Sequence, residues 1–223
     1  MNDQKKEQNS NHLTVPVVIS YPNTLFKAKS FMGGVPKHSL TVLYHKDNKD
    51  EMADLKMFKV IADRIVAENW PDENTRPKHL VYGGEKSIIK DADTCHNEAG
   101  QLLSEKDPPY KGCYIIRPNR REDQGAPVVV DRERNPLINR AVIYGGCKCR
   151  VNMNPYYYEL TDDKGKIIKR GVAVGLNGVW FWEDGEAFGN SRMSNEEMFG
   201  VPDNSSDDFG SADTFGNNDD IAL

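Results

Sequence analysis

A strict alternation of apolar and polar side chains over residues 147–154 constrains the fold more than any other feature of this chain. One parity is apolar and consists of Cys147, Cys149, Val151 and Met153. The other parity is polar and consists of Lys148, Arg150, Asn152 and Asn154, followed by Tyr156 and Tyr158. Successive strand residues point to opposite faces of a sheet, so the pattern predicts a strand with one face in a core. Pro155 is a candidate for a bulge between the amides and the tyrosines.

The rest of the chain is predicted to form strands and one long amphipathic helix. Extended stretches are expected at residues 13–20, 25–31, 38–46, 113–117, 126–131, 141–160 and 167–182. Apolar residues at three- and four-residue intervals predict an amphipathic helix over residues 50–69. The polar residues 72–111 are interpreted as an insertion. The expected class is all-β with one main helix, an OB-fold-like Greek-key barrel with insertions and disordered termini. A β-sandwich is the main rival.

Charge is divided unevenly along the 223 residues, whose formal net charge is −5. Residues 183–223 hold 11 acidic side chains and one arginine, a net of −10, so residues 1–182 carry +5. We therefore predict a disordered leader over residues 1–12, a domain over residues 13–190 and an acidic disordered tail over residues 191–223. The apolar runs are too short for a transmembrane helix, and the polar N-terminus does not resemble a signal peptide.

Basic and aromatic side chains on the polar strand face are typical of sequence-tolerant binding to single-stranded nucleic acid. Cations neutralise phosphates, while flat rings stack on exposed bases. The candidate nucleic-acid-binding residues are Lys148, Arg150, Tyr156, Tyr158, Lys166, Lys169, Arg170, Phe26, Lys27 and Lys29. The alternative is a set of ordinary strand aromatics beside solvated cations. For Trp180 and Trp182, core packing is favoured over a stacking platform.

Motifs for metal binding and catalysis are sparse in this sequence. The four cysteines include one close pair, Cys147 and Cys149, both on the apolar strand face. Structural zinc sites usually pair cysteines two to four residues apart, so reduced core thiols are favoured over zinc bound with His79 or His96. The chain lacks the phosphate-binding, zinc-protease and nucleophile-elbow motifs. We therefore expect no enzyme, no metal and no cofactor.

The C-terminal tail has its own pattern. Residues 203–223 carry six aspartates and no cation. They end on an acidic pair and an apolar tip, which gives the candidate partner-binding residues Asp219, Asp220, Ile221 and Leu223. Such a tip suits an apolar pocket with a basic rim on a partner. The same tail could lie in the chain's own basic groove as a mimic of nucleic-acid charge.

Several of these stretches, in this order and spacing, resemble the OB-fold single-stranded-DNA-binding proteins of tailed bacteriophages. The segments that carry the resemblance are the Tyr-Pro pair at 21–22, PVVVD at 127–131, YGGC at 144–147, GVAVGLNGV at 171–179 and DGEAFG at 184–189. The resemblance covers most of residues 13–190. The tail also resembles those of bacterial and phage proteins of this kind, although it lacks the terminal Phe often seen there.

The resemblance implies a protein of the bacterial host cytoplasm that coats single-stranded DNA during phage replication, recombination and repair. It implies that Lys148, Arg150, Tyr156 and Tyr158 contact DNA. It also implies that the tail recruits a polymerase, helicase or primase. No membrane partner is expected, and a homodimer is left open. A metal-dependent nuclease and a β-rich virion protein are the alternative functions.

Overall fold

The computed structural model describes residues 10–30, 33–74 and 76–189. The predicted tail, including Asp219, Asp220, Ile221 and Leu223, lies outside the described residues. The predicted leader, residues 1–12, overlaps the described residues at positions 10–12. His12 is buried and its backbone pairs with that of Met153.

The described residues form a mainly β structure with one long helix, as predicted. The strands are β1 (His12–Leu13), β2 (Val17–Ser20), β3 (Lys37–Ser39), β4 (Thr41–His45), β5 (Ile89–Asp91), β6 (Cys113–Ile116), β7 (Asn119–Arg121), β8 (Val128–Val130), β9 (Lys148–Thr161) and β10 (Ile167–Glu183). The helices are α1 (Asn23–Phe26), α2 (Lys49–Asn69) and α3 (Leu103–Lys106), with 3₁₀ turns at Pro108–Tyr110, Glu122–Gln124 and Arg140–Val142. Within this part of the chain, no helix has the length and apolar character needed to span a bilayer.

The strands make one sheet in the order β3-β7-β10-β9-β2-β4-β6-β5, with β1 added to β9 and β8 added to β10. Most pairs are antiparallel, whereas β7 and β8 run parallel to β10. Side chains from β5, near one end of this order, and from β10, near the other, meet in one core cluster. The sheet therefore curves around that core.

Helix α2 covers the main core, and it begins one residue before the predicted start. The Asn48 side chain accepts hydrogen bonds from the backbone N–H groups of Asp50 and Glu51 and so caps the helix. The buried positions Leu55, Phe58, Ala62 and Val66 recur at three- and four-residue spacing. Burial of this stripe fixes the helix on β4 and β9.

Two predicted extended stretches are wrong in part. The stretch expected over residues 25–31 begins inside a single helical turn, residues 23–26, in which Leu25 N–H donates to the Pro22 carbonyl and the Leu25 side chain enters the core. The long strand expected over residues 141–160 begins only at Lys148. Gly146 interrupts it with φ +110°, a conformation incompatible with a continuous strand.

The segment 72–111, interpreted as an insertion, packs onto the sheet. Its residues Ala92, Cys95, Leu103 and Tyr110 form a second core with Leu43, Cys113 and Ile115. Leu43 lies between Val42 and Tyr44 of β4, which belong to the main core. Because neighbouring strand residues face opposite sides, residues 92–110 cover the opposite side of β4 and β6. The segment 72–111 also adds β5 to the sheet and Ile89 to the main core.

The four cysteines lie in these two cores as free thiols. The sulfur atoms of Cys147 and Cys149 are 3.7 Å apart in the main core. Cys95 and Cys113 belong to the second core. Among the described residues, no three His, Cys, Asp or Glu side chains come together in a metal-binding arrangement.

Candidate nucleic-acid interface

The polar side of β9 forms a continuous surface, which we call the outer face. The alternate residues Cys149, Val151, Met153 and Pro155 are buried, so the predicted alternation is confirmed. The bulge expected at Pro155 is wrong, because Pro155 pairs in register with Val174. The irregularities lie on β10 instead, and the β9 parity therefore continues into the tyrosines. The outer face consists of Lys148, Arg150, Asn152, Asn154, Tyr156 and Tyr158.

Arg150 sits in a cluster of cations and tryptophans at one end of the outer face. Its Nε donates to the Thr14 carbonyl at 2.8 Å, and its guanidinium lies 5.3 Å from the Trp180 ring centre and 5.9 Å from that of Trp182. The two indole rings meet edge to face at 5.2 Å. The hydrogen bond to the Thr14 carbonyl holds the Arg150 guanidinium within cation–π distance of both rings.

A loop remote in sequence completes this cluster. The Arg134 guanidinium lies 4.5 Å from the Trp180 ring centre, and Trp180 Nε1 donates to the Arg132 carbonyl at 3.2 Å. Two guanidinium groups thus lie within cation–π distance of the Trp180 ring. The prediction that the tryptophans pack in the core is wrong, because Phe181 points into the core while both tryptophans remain half-buried outside it.

Lys148 forms an ion pair at the rim of the outer face. Its Nζ lies 2.8 Å from Glu183 Oε1, and the hydrogen bond from Lys148 lowers the pKa of the Glu183 carboxyl. Both side chains are more than two-fifths exposed, so solvent screens the pair and its contribution to stability is small. Its main consequence is electrostatic, because Glu183 offsets the charge that Lys148 offers to an anion.

We expect Glu183→Gln to increase affinity for single-stranded DNA about threefold at low salt, because it removes a carboxylate beside Lys148, a cation of the predicted nucleic-acid-binding set. Fluorescence anisotropy with an oligo-dT ligand measures the change. The same substitution combined with Lys148→Ala is the control, since the gain in affinity should shrink when the cation is absent. An unchanged or weakened affinity in the single variant would contradict the expectation.

The two tyrosines occupy the other end of the outer face. Tyr156 is 39 % exposed; burial and the neighbouring Tyr158 raise its phenol pKa, while Arg121 of β7 acts in the opposite direction. A Cβ atom on Gly171 would lie 3.0 Å from the Tyr158 hydroxyl oxygen and 3.1 Å from Cε1. The Tyr158 ring therefore lies against the backbone of the partner strand at Gly171, and a side chain at that position would make the ring shift.

Lys169 pairs with Leu160, which shares the parity of the tyrosines, so Lys169 joins the tyrosine end of the outer face. Arg170 pairs with Glu159 and lies on the reverse side. There its guanidinium is 5.4 Å from the Trp70 ring centre, and Trp70 packs edge to face against Tyr157. Lys166 lies at the hairpin turn, where its N–H donates to Asp162.

Phe26, Lys27 and Lys29 lie near β3, at the edge of the sheet. The Arg140 guanidinium covers the Phe26 ring at 5.2 Å, while Lys27 and Lys29 are exposed. Lys29 pairs through its backbone with Lys37 of β3. The structure therefore distributes the ten predicted residues among the outer face, its reverse side, the hairpin turn and this edge.

Sequence reasoning missed Arg134 and Asn177, and it noted Arg121 only as part of a basic cluster with Arg117 and Arg120. No local signal places Arg134 or Arg121 on the outer face, because loop or strand pairing brings them there from far along the chain. Asn177 lies within the GVAVGLNGV stretch, but its position depends on a bulge in β10, where the register shifts between Leu176 and Gly178.

Comparisons with known proteins find similarity to phage ssDNA-binding proteins, the kind of protein that the sequence resembles. The family model described as Enterobacter phage Enc34, ssDNA-binding protein, matches residues 12–210. The solved single-stranded DNA-binding protein of bacteriophage Enc34 in complex with ssDNA is 24 % identical, with a TM-score of 0.61, over 82 % of this chain and 91 % of that chain. Another structure of the Enc34 protein, 22 % identical, gives a TM-score of 0.59 over 86 % of this chain and 91 % of that one.

A curated relative extends the similarity to another phage. Putative protein p50 of Acyrthosiphon pisum secondary endosymbiont phage 1 is 24 % identical over 187 residues, covering 82 % of this chain and 89 % of p50. The structural likeness confirms the predicted OB-like fold over the β-sandwich. The resemblance stated from the sequence is also confirmed. The chain belongs to the family of the Enterobacter phage Enc34 ssDNA-binding protein.

Proposed function

We propose that this protein binds single-stranded DNA without strong sequence preference along the outer face. The observation that carries the proposal is the cluster of Arg150, Trp180, Trp182 and Arg134, in which half-buried rings and guanidinium groups share one open surface. Cations that track phosphates beside rings that stack on bases are the chemistry of single-strand binding. Membership of a family named for a phage ssDNA-binding protein supports the same function.

Different residues along the outer face have different roles in the proposed binding. Arg150, Lys148 and Lys169 neutralise phosphates, while the indoles of Trp180 and Trp182 stack on bases at one end. Tyr156 and Tyr158 offer a second stacking surface at the other end. Stacking contributes about 1–3 kcal/mol per base and tolerates any base, because each has a π-face. A duplex keeps its bases paired and stacked, so the tryptophans and tyrosines favour single strands.

The proposed role is that of a binding factor in phage DNA replication, recombination and repair in the cytoplasm of the host cell. The acidic residues 203–223 recruit a polymerase, helicase or primase through Asp219, Asp220, Ile221 and Leu223. The tail also competes with DNA for the outer face, since residues 191–223 carry a net charge of −7 against +2 for residues 1–190. Binding alone performs this role, without cleavage of the strand.

Fluorescence anisotropy with labelled oligo-dT and a duplex of equal length, across a salt series, tests the proposal. We expect the single strand to bind more tightly, and the logarithm of its affinity to fall linearly with the logarithm of salt concentration. A chain truncated after residue 202 keeps the compact unit that ends at Gly189 and should bind oligo-dT more tightly at low salt. Labelled DNA incubated with Mg²⁺ or Mn²⁺ should remain intact.

Three outcomes would contradict separate parts of the proposal. Absent or salt-independent binding by both forms of the protein would overturn the binding function. Equal affinities of the full and truncated chains at low salt would reject competition by the tail. Cleavage of the labelled strand would favour the nuclease alternative, and self-assembly at high concentration without DNA affinity would favour a virion protein.

A further inference from the structure

Four asparagine side chains converge at the middle of the outer face. Asn177 Nδ2 lies 3.0 Å from Asn152 Oδ1, 3.1 Å from Asn154 Oδ1 and 3.1 Å from Asn11 Oδ1. A primary amide has two N–H bonds, so it satisfies at most two of three acceptors. Asn177 is therefore the central donor of the cluster, and it lies with Asn152 on a surface open to a ligand.

The backbone of β10 is shaped to bring Asn177 to this position. Asn177 is the extra residue of a bulge, because the register to β9 shifts between Leu176 and Gly178. A Cβ on Gly175 would lie 2.6 Å from Asn154 Oδ1, and one on Gly178 would lie 2.9 Å from the Val128 carbonyl. Bulges commonly redirect a side chain next to a functional site. Here Gly175 leaves room for the Asn154 amide, and Gly178 leaves room for the backbone of β8.

A cavity of about 310 Å³ opens beside the amide cluster. Apolar side chains of Leu13, Val128 and Val130 line it together with the Trp180 ring. Its polar lining includes Asn152, Asn177 and Arg150. Apolar walls, an aromatic ring and amides that both donate and accept match a nucleobase, which has flat apolar faces and a hydrogen-bonding edge. The nearby guanidinium suits the phosphate of the same nucleotide.

We propose that this cavity captures one nucleobase of the bound strand and that Asn177 and Asn152 hydrogen-bond its edge. The inference rests on the proposed function and adds a base-dependent contribution to it. Stacking on tryptophan or tyrosine treats all bases similarly, whereas amide contacts distinguish donors from acceptors on the base edge. The protein therefore binds every sequence but holds one base of each footprint with a preference.

Asn177→Ala tests the proposal through anisotropy with dT, dC and dA oligomers and with an abasic oligomer of the same length. We expect the variant to bind its preferred homopolymer about tenfold more weakly, the size of one lost base contact. Affinity for the abasic oligomer should stay within about twofold, because that ligand has no base edge. The differences in affinity among the dT, dC and dA oligomers should also become smaller in the variant.

Asn152→Ala is the second variant, because it removes an amide of the cluster and leaves the β10 bulge in place. Asn69→Ala, at the end of α2, is the matched control and should bind all four oligomers like the original chain. Thermal unfolding of each variant shows whether the fold is retained.

The outcomes separate the two proposals. Failure of the original chain to bind any oligomer would overturn the proposed function. In one contrary result, the original chain binds but both cluster variants lose affinity for the dT and abasic oligomers equally. In another, neither variant changes the differences in affinity among the homopolymers. Both results would mean that the amides have only a structural role. Either of those results would overturn base capture while leaving single-strand binding intact.

Discussion

Replacement of Arg150 by alanine is expected to weaken oligo-dT binding about 30-fold at moderate salt, more than any other single cation on the outer face. About 2 kcal/mol is lost, which combines one phosphate contact with the cation–π support of a stacking ring. The guanidinium is held by the Thr14 carbonyl at 2.8 Å and lies within 6 Å of both indole rings. Arg150 is therefore pre-organised for binding, whereas Lys148 is paired with Glu183.

The salt dependence of Arg150→Ala identifies the lost contact. Loss of one phosphate contact should reduce the slope of log affinity against log salt by about 0.7 for a single strand. Arg150→Lys should restore most of that slope but only part of the affinity, since an ammonium lacks the planar fork that stacks on indole. Arg64→Ala, which removes an exposed arginine of α2, is the matched control and should leave both quantities unchanged. A full loss of affinity with an unchanged slope would contradict a phosphate contact.

The outer face could be predicted from sequence because its signal is local. Period-two burial on one strand places Lys148, Arg150 and the tyrosines on one side without any knowledge of their neighbours. The side on which Trp180 and Trp182 lie could not be predicted in this way, because it depends on how β10 pairs with β9 and on where β10 bulges. Core packing was the wrong prediction for them because a run of three aromatic residues gives no parity by itself.

The contacts that Arg134 and Arg121 make with the outer face could not be predicted. Arg134 reaches Trp180 through a loop that joins β8 to β9, and Arg121 reaches Tyr156 through the pairing of β7 with β10. Both contacts depend on tertiary structure. Arg170 shows the converse, because it belongs to a basic run in the sequence but the strand places it on the reverse side with Trp70.

The glycine-rich segments that carry the family resemblance have a structural explanation. Tyr144 OH donates to the Gly185 carbonyl at 3.0 Å and accepts from Gly185 N–H at 3.0 Å. Phe188 N–H donates to the Gly145 carbonyl at 2.8 Å, and Gly146 N–H donates to the Ile19 carbonyl at 2.8 Å. The YGGC and DGEAFG segments thus lock together where β9 begins and β10 ends. That junction supports Lys148, Trp182 and Glu183 at the rim of the outer face.

Within this junction, Gly146→Ala is expected to destabilise the fold by about 4 kcal/mol, because its φ of +110° strains any L-residue and its Cβ would overlap the Glu186 carbonyl oxygen. The apparent unfolding temperature should fall by about 12 °C. Gly145→Ala is the matched control: its Cβ would meet Phe188 at 3.5 Å, an ordinary contact, so stability should change by less than about 1 kcal/mol. Chemical and thermal unfolding of the two variants measures the difference. Equal stabilities would show that the junction relaxes freely, and the close backbone approach at Gly146 would then have no role in holding the ends of β9 and β10 together.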